Sequence, residues 1–282
     1  METILYYLFL AFVYLIKITP NFLKKPLKKV VAALFYLIAT RRRKIVLKNI
    51  ELITGKQDKN IAKKAFLHFV DNLFDVVENL DITKEELEKK VVFKNRELAD
   101  KFLQKGPAIF VTAHYGNWEL TPTIMSAFIT PIDAVVRKLS MKKFNDLIER
   151  PRTRFGVTLH NRKDGVRNLI KSLKSGRSLG ILVDQYPNST KGVTLPFFGH
   201  NIPHTDAAVV LAKKFNIPVV ILFLEKENDK YVMNFVDGFY VDDKNEALKR
   251  QVKVIEDYIS KDISKWYLFH RRFRPVEKYK FK

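Results

Sequence analysis

The sequence predicts an α/β fold, a central, mostly parallel sheet flanked by helices, with an N-terminal apolar, membrane-associated helical segment in front of it. Three observations carry this. From residue 107 onward, short apolar runs alternate with helical patterns, as in chains whose buried parallel strands are joined by helices. Before residue 45, two aromatic-rich apolar runs lie among basic residues. The 282 residues are 47% hydrophobic with 22 Phe and no Cys, enough for a large core and incompatible with a disulfide framework, a thiolate nucleophile or a Cys-ligated metal.

Taken in order, Ile4 to Ile16 is thirteen residues without a charge, and a second apolar run, Val30 to Ala39, ends at Arg41-Arg42-Arg43-Lys44. A helix of that length is about 20 Å long against about 30 Å of hydrocarbon, short for a clean span. A cleavable signal is disfavoured because the only charge before the apolar run is that of Glu2, where a signal carries a positive one. Ile61 to Leu80 places Phe66, Val70, Leu73, Val77 and Leu80 on one helical face. Ala108 to Ala113, Ile132 to Val136, Ser178 to Val183 and Ile217 to Leu224 read as buried strands, with Lys230 to Val236 as a further one. Asp164 caps a helix carrying Val166, Leu169, Ile170 and Leu173, which Gly176 stops. Another helix follows Thr205 or Asp206, and Leu248, Val252, Ile255 and Ile259 mark a late one. No repeat or Pro/Gly/Ser linker divides the chain, so the expected organisation is a membrane-anchoring segment, 1–44, and one α/β domain, 45–282.

The net charge of +21 calls for an anionic partner. Ten basic residues and no acid lie between Lys17 and Lys48, directly after the first apolar run. That placement suits the interface of an anionic leaflet, with the body on the cytoplasmic side. A buried helical hairpin with a solvated basic edge is the alternative reading of the same runs.

Chemistry in such a fold belongs at the carboxyl ends of the strands. The first strand runs into His114-Tyr115-Gly116-Asn117-Trp118-Glu119. On one continuous helix His114 and Glu119 would point about 140° apart. A strand end, a turn at Gly116-Asn117 and a new helix instead fold the carboxylate back toward the imidazole. That pair would be a general base with an orienting acid, taking a proton from an attacking hydroxyl. On spacing alone a histidine that merely ends a buried strand is the favoured reading. No Gly-x-Ser-x-Gly elbow is present, so the nucleophile is expected to come from the substrate.

The string Thr112 to Glu119 resembles the H-x(4)-D/E motif of the lipid A biosynthesis lauroyl and myristoyl acyltransferases, the late acyltransferases of Gram-negative bacteria. Arg152-Thr153-Arg154-Phe155-Gly156 is similar to that family's R-x-R-x-G stretch, and Val183 to Pro187, Gly192 and Pro196 to Gly199 to its D-Q block and F-F-G turn. His270 to Arg274 corresponds to its closing H-R-R-F-K pattern, while Ile263-Ser264-Lys265 stands where the family has Pro-Glu-Gln before a tryptophan. The resemblance spans nearly the whole chain. It implies a glycerolipid-acyltransferase-like fold and acyl transfer from an acyl carrier protein to a hydroxyl of a lipid A precursor. His114 would be the general base and Glu119 its orienting partner. Arg152 and Asp184 match positions used at the same site, and Arg137, Arg154, Asn117 and Gln185 are further substrate-binding candidates. The implied partners are acyl carrier protein, an anionic glycolipid and an anionic leaflet, at the cytoplasmic face of the inner membrane.

No metal or cofactor is expected: His200 and His204 are spaced i, i+4, but Pro203 lies between them and no third ligand follows. Two rivals remain open on the residues. One is an acyltransferase acting on another glycolipid, such as a phosphatidylinositol mannoside. The other is a basic protein that binds a membrane or nucleic acid without chemistry, although nucleic acid leaves the clustering of charge beside apolar runs unexplained.

Overall fold

In a computed structural model of the chain, residues 2–136, 149–161, 165–187, 192–276 and 279 are described. Arg137 and Asp164 fall outside them. The N-terminus is helical: α1 (Glu2–Ile18), α2 (Asn21–Ile38), α3 (Thr40–Thr54) and α4 (Lys59–Glu78). Pro20, which lacks an N–H, separates the first two, and Gly55 in the left-handed region ends the third. Asp58 caps α4, accepting from the Asn60 and Ile61 amides. Residue 44 lies inside α3, whose Val46 and Ile50 are buried in the main core.

The sheet has seven strands. After the short α5 (Lys84–Glu88), β1 (Val91–Lys94), α6 (Arg96–Leu103) and β2 (Ile109–Thr112) follow. Next come α7 (Thr121–Phe128), β3 (Ile132–Val136), β4 (Thr158–Asn161), α8 (Gly165–Lys174) and β5 (Ser178–Leu182). A separate antiparallel hairpin, β6 (Val193–Phe197) and β7 (His200–His204), precedes α9 (Ala207–Phe215), β8 (Val219–Glu227), β9 (Lys230–Phe239) and α10 (Lys244–Ser260). The order across the sheet is β1-β9-β8-β2-β5-β3-β4, and only the β8–β9 pair is antiparallel. The expected strands and the expected parallel sheet are all present. The edge strands β1 and β4 and the hairpin were not expected, because they are half-exposed and short on continuous apolar residues.

Both faces of the sheet are covered. Ile109, Val111, Ile221 and Phe223 pack with α9, α10 and the C-terminal segment, and Phe223 stacks on Tyr258 at 3.8 Å. Phe110, Val220, Leu222 and Leu224 face α6 and α7. The N-terminal hairpin joins through aromatic contacts, Phe35 with Phe66, Phe69 and Phe269, and Phe12 edge-on to Phe74.

No described helix is long and apolar enough to cross a membrane. The outer face of α1 and α2 nevertheless exposes Tyr14, Phe22, Val30, Leu34, Leu37 and Ile38, with Phe22 and Ile38 about three-quarters exposed at 75% and 77%. The basic stretch divides in two. Lys24 and Lys28 turn inward to Glu78 (3.0 Å) and Asp71 (3.5 Å), Lys17 pairs with Asp81 (2.5 Å) at the surface, and Arg42 and Arg43 donate to the Phe269 and Tyr36 carbonyls. Lys25, Lys29, Arg41 and Lys44 stay exposed beside the apolar face.

Candidate active site

The partners Phe110↔Gly180 and Thr112↔Leu182 on neighbouring parallel strands continue, two residues on, to His114 opposite Asp184. At that strand end His114 Nδ1 meets Asp184 Oδ1 at 2.8 Å. Asp184 Oδ2 accepts the Trp266 indole N–H at 2.7 Å, so the buried carboxylate is held from both sides. The carboxylate on the imidazole is therefore Asp184 and not Glu119. A single turn after a strand end cannot reach Nδ1 as directly as a residue across the ladder. Asp184 caps no helix; it is spent on His114 and Trp266.

Burial works against an imidazolium at His114, but the Asp184 carboxylate, with Glu119 further off, outweighs it, and the histidine titrates above its ordinary value. Burial likewise pushes Asp184 up, and the facing imidazole, reinforced by Trp266, brings it below the usual carboxylate range. With Asp184 holding Nδ1–H, Nε2 keeps its lone pair, and the Gln185 amide donates to it at 3.0 Å. The His114 side chain is 19% exposed, enough for a substrate to reach. Trp118 and Tyr267 flank the ring, with centroids 5.6 and 6.0 Å away.

The backbone beyond His114 is tied down. The His114 carbonyl accepts from Tyr267, the Gly116 N–H donates to Lys265, and the Asn117 N–H donates to Leu224. Gly116 has φ +58°, and a Cβ there would overlap the Leu224 carbonyl oxygen, so only glycine fits. The Ile263-Ser264-Lys265 stretch is a 3₁₀ turn capped by Asp262, and it supplies both the Lys265 carbonyl and the approach to Trp266.

Glu119 lies on the 3₁₀ turn Trp118–Leu120 and accepts from Arg152 Nε and Nη2 at 3.0 and 2.5 Å; both groups are about one-third exposed, at 31% and 29%. Arg154 donates to the Leu80 carbonyl and stacks on Phe155. Asn117 is buried with its amide on Asp75, so it faces away from substrate. Asp184 and Gln185 thus hold His114, Glu119 acts on it from further off while bonded to Arg152, and Arg154 and Asn117 brace the neighbouring backbone.

An apolar cleft, partly open to solvent, reaches the histidine through Trp118, which lines the cleft and packs against the His114 ring. Trp118 and Thr112 form its near end, Thr121, Pro122 and Met125 of α7 one wall, and Ile132, Ala134, Gly180 and Leu182 the sheet side.

His200 and His204 are on a strand, not a helix, with His200 Nε2 donating to the Leu52 carbonyl and His204 accepting from Arg272. Among the described residues no group of acids and histidines is arranged to hold a metal. A Ser-His-Asp set elsewhere, Ser172, His160 and Asp133, is not a nucleophilic triad: His160 Nε2 contacts both Ser172 Oγ (3.2 Å) and Asp133 Oδ2 (3.0 Å), and Ser172 donates to Asp133 at 2.6 Å. A triad needs hydroxyl and carboxylate on opposite ring nitrogens. With Arg177 on Asp133, this cluster ties β3, β4 and α8 together.

A family model described as bacterial lipid A biosynthesis acyltransferase matches residues 1–275. The chain belongs to that family. Its reaction class is therefore acyl transfer, and its setting lipid A biosynthesis. Among solved structures, the 1-acyl-sn-glycerophosphate (LPA) acyltransferase PlsC from Thermotoga maritima is similar at 14% identity, covering 82% of this chain and 97% of that one, with a TM-score of 0.37. No curated protein matches the chain. Sequence reasoning missed Trp266 and paired His114 with the nearer carboxylate. The strand pairing β2–β5 is what brings Asp184 in, and no local spacing encodes it.

Proposed function

We propose that this acyltransferase moves a fatty acyl chain from acyl carrier protein to a hydroxyl of a lipid A precursor, at the cytoplasmic face of the inner membrane, with His114 as general base. The observation that carries the reading is an imidazole whose Nδ1 is held by Asp184 and whose ring packs on Trp118, a wall of an apolar cleft. An alcohol is a weak nucleophile near neutral pH. As the hydroxyl oxygen attacks the thioester carbonyl, Nε2 takes its proton in place of the Gln185 amide contact, and Asp184 stabilises the imidazolium. The tetrahedral intermediate then breaks its C–S bond, and the imidazolium returns the proton to the departing thiolate. The acyl chain lies in the cleft lined by Trp118, Met125, Ile132 and Gly180. The Arg152 guanidinium, oriented by Glu119, serves the oxyanion or an acceptor phosphate.

The exposed aromatic and aliphatic face of α1 and α2, edged by Lys25, Lys29, Arg41 and Lys44, supports attachment in the interface of an anionic leaflet. The basic surface also suits an acidic carrier protein, whose encounter would slow as salt rises.

The test combines purified protein, acyl carrier protein loaded with a fatty acid, and a lipid A precursor, with products weighed by mass spectrometry. One added acyl group, lost in His114→Ala, is the expected result. Lipid A of unchanged mass in cells with and without the protein, together with no transfer in vitro, would overturn the reading.

A further inference from the structure

Behind the turn that follows His114 lies a buried charge that proton transfer does not use. Asp75 of α4 is 1% exposed. Its Oδ1 accepts from Lys226 of β8 at 2.5 Å, with Lys28 of α2 at 4.0 Å, and its Oδ2 accepts from the Asn117 side-chain amide at 2.8 Å. Three residues earlier, on the same helical face, Asn72 donates to the Gly116 carbonyl at 2.6 Å. Together with the Lys265 and Leu224 carbonyls that accept the Gly116 and Asn117 amides, four hydrogen bonds from three separate elements fix two consecutive residues.

Such a site is costly to build. Burial raises the Asp75 carboxyl pKa even against Lys226 and Lys28, and Asn117 Oδ1 is buried without a hydrogen-bond partner. A buried ion pair rarely stabilises a fold better than apolar side chains of the same volume; its better-attested use is to specify one geometry. Gly116 and Asn117 are among the residues between His114 and Glu119, so their geometry sets how both functional side chains enter the site.

We propose that Asn72 and Asp75 are positioning residues for acyl transfer: they clamp the Gly116–Asn117 turn from α4 and so keep His114 on Asp184 and Glu119 on Arg152. This rests on the reading of His114 as the base. An alternative in which Asp75 only stabilises the fold makes a different prediction, because it would change the folded fraction and leave the folded site as it is.

The experiment uses the full chain with Asp75→Ala, Asn117→Ala, Asn72→Ala and the neutral double variant Asp75→Asn/Lys226→Gln. In the double variant the amide introduced on α4 can still accept from Asn117 and donate to the amide introduced on β8. Two quantities are read on folded protein: kcat and KM for acyl transfer, and the titration midpoint of His114 by ¹⁵N-histidine NMR. With the clamp cut, kcat falls about 10- to 100-fold while KM moves less than about 3-fold, and the His114 midpoint drops toward the ordinary histidine value. The double variant restores both. Asn72 is only partly buried, so Asn72→Ala carries the test if the Asp75 variant fails to fold. Folded single variants with unchanged kcat and an unchanged His114 midpoint would overturn the proposal, as would a double variant as impaired as Asp75→Ala. If the wild-type chain transfers no acyl group, the functional reading fails, and the His114 midpoint still decides the clamp.

Discussion

His114 and Asp184 stand opposite one another across neighbouring parallel strands, seventy residues apart in sequence and 2.8 Å apart in space. Trp266, from beyond the last helix, bonds the far oxygen of the same carboxylate. Three distant segments thus converge to hold one imidazole. Glu119, the acid closest to the histidine in sequence, is committed to Arg152.

This division of labour separates the two carboxylates by mutation. His114→Ala is expected to lower kcat about 100-fold or more, and Asp184→Asn to lose a comparable amount. The His114/Asp184 double variant should be little worse than His114→Ala, since the pair acts as one unit. Glu119→Gln should add to His114→Ala in a double variant, because it acts through Arg152. Steady-state kinetics of these proteins measures this.

The pH dependence follows from the raised His114 pKa and the lowered Asp184 pKa. Only neutral imidazole accepts a proton, so kcat/KM should rise through a midpoint above the ordinary histidine value of about 6.5. In Asp184→Asn burial is opposed only by the more distant Glu119, and that midpoint should move below about 6.5 if any rate remains. For stability the signs differ by group. The His114 contribution is full below the ordinary value and vanishes as pH climbs through the raised midpoint, whereas that of Asp184 is full above its ordinary value and vanishes as pH falls through the lowered one. Denaturant titrations of wild type and His114→Ala at several pH values should show a stability gap that narrows as pH climbs through the raised His114 midpoint.

Chain length should be readable in the cleft. Ala134→Phe, and more mildly Gly180→Ala, whose new Cβ would sit 3.0 Å from Ile132, fill its sheet side. Each methylene displaced from an apolar site is worth about 0.8 kcal/mol. Competition between long and short acyl donors should shift toward the shorter one by about 10-fold or more in Ala134→Phe.

Gly116→Ala should be far more damaging than its size suggests. It combines a φ of +58° with overlap on the Leu224 carbonyl, a strain of roughly 1–3 kcal/mol or more. A lowered Tm together with lost transfer activity is the expected outcome, measured against Gly106→Ala, where a new Cβ meets nothing within 4 Å.

Membrane binding should depend on which lysines are changed. Lys25→Glu/Lys29→Glu, at exposed positions, should weaken sedimentation with anionic vesicles and make it more salt-sensitive at unchanged Tm. Lys24→Glu/Lys28→Glu breaks contacts with Glu78, Asp71 and Asp75 and should lower Tm. Deleting 1–44 would cut α3 and uncover core residues, so point variants are the cleaner probe.

By itself the sequence determined the succession of strands and helices, the cluster of motifs around His114 and the apolar, basic N-terminus, because periodicity, turn residues and charge placement are local properties. Edge strands such as β4, carrying Leu159 and His160 on a half-exposed ribbon, lack the apolar run that makes a strand legible. Only the tertiary structure decided which acid serves His114, because strand order is a long-range property: β2 lies beside β5, and that neighbour brings in Asp184. It also decided that Lys24 and Lys28 of the N-terminal stretch face inward, since α4 sets Glu78 and Asp71 against them. A charge count along the chain holds no information about which side of a helix meets protein and which meets the surroundings.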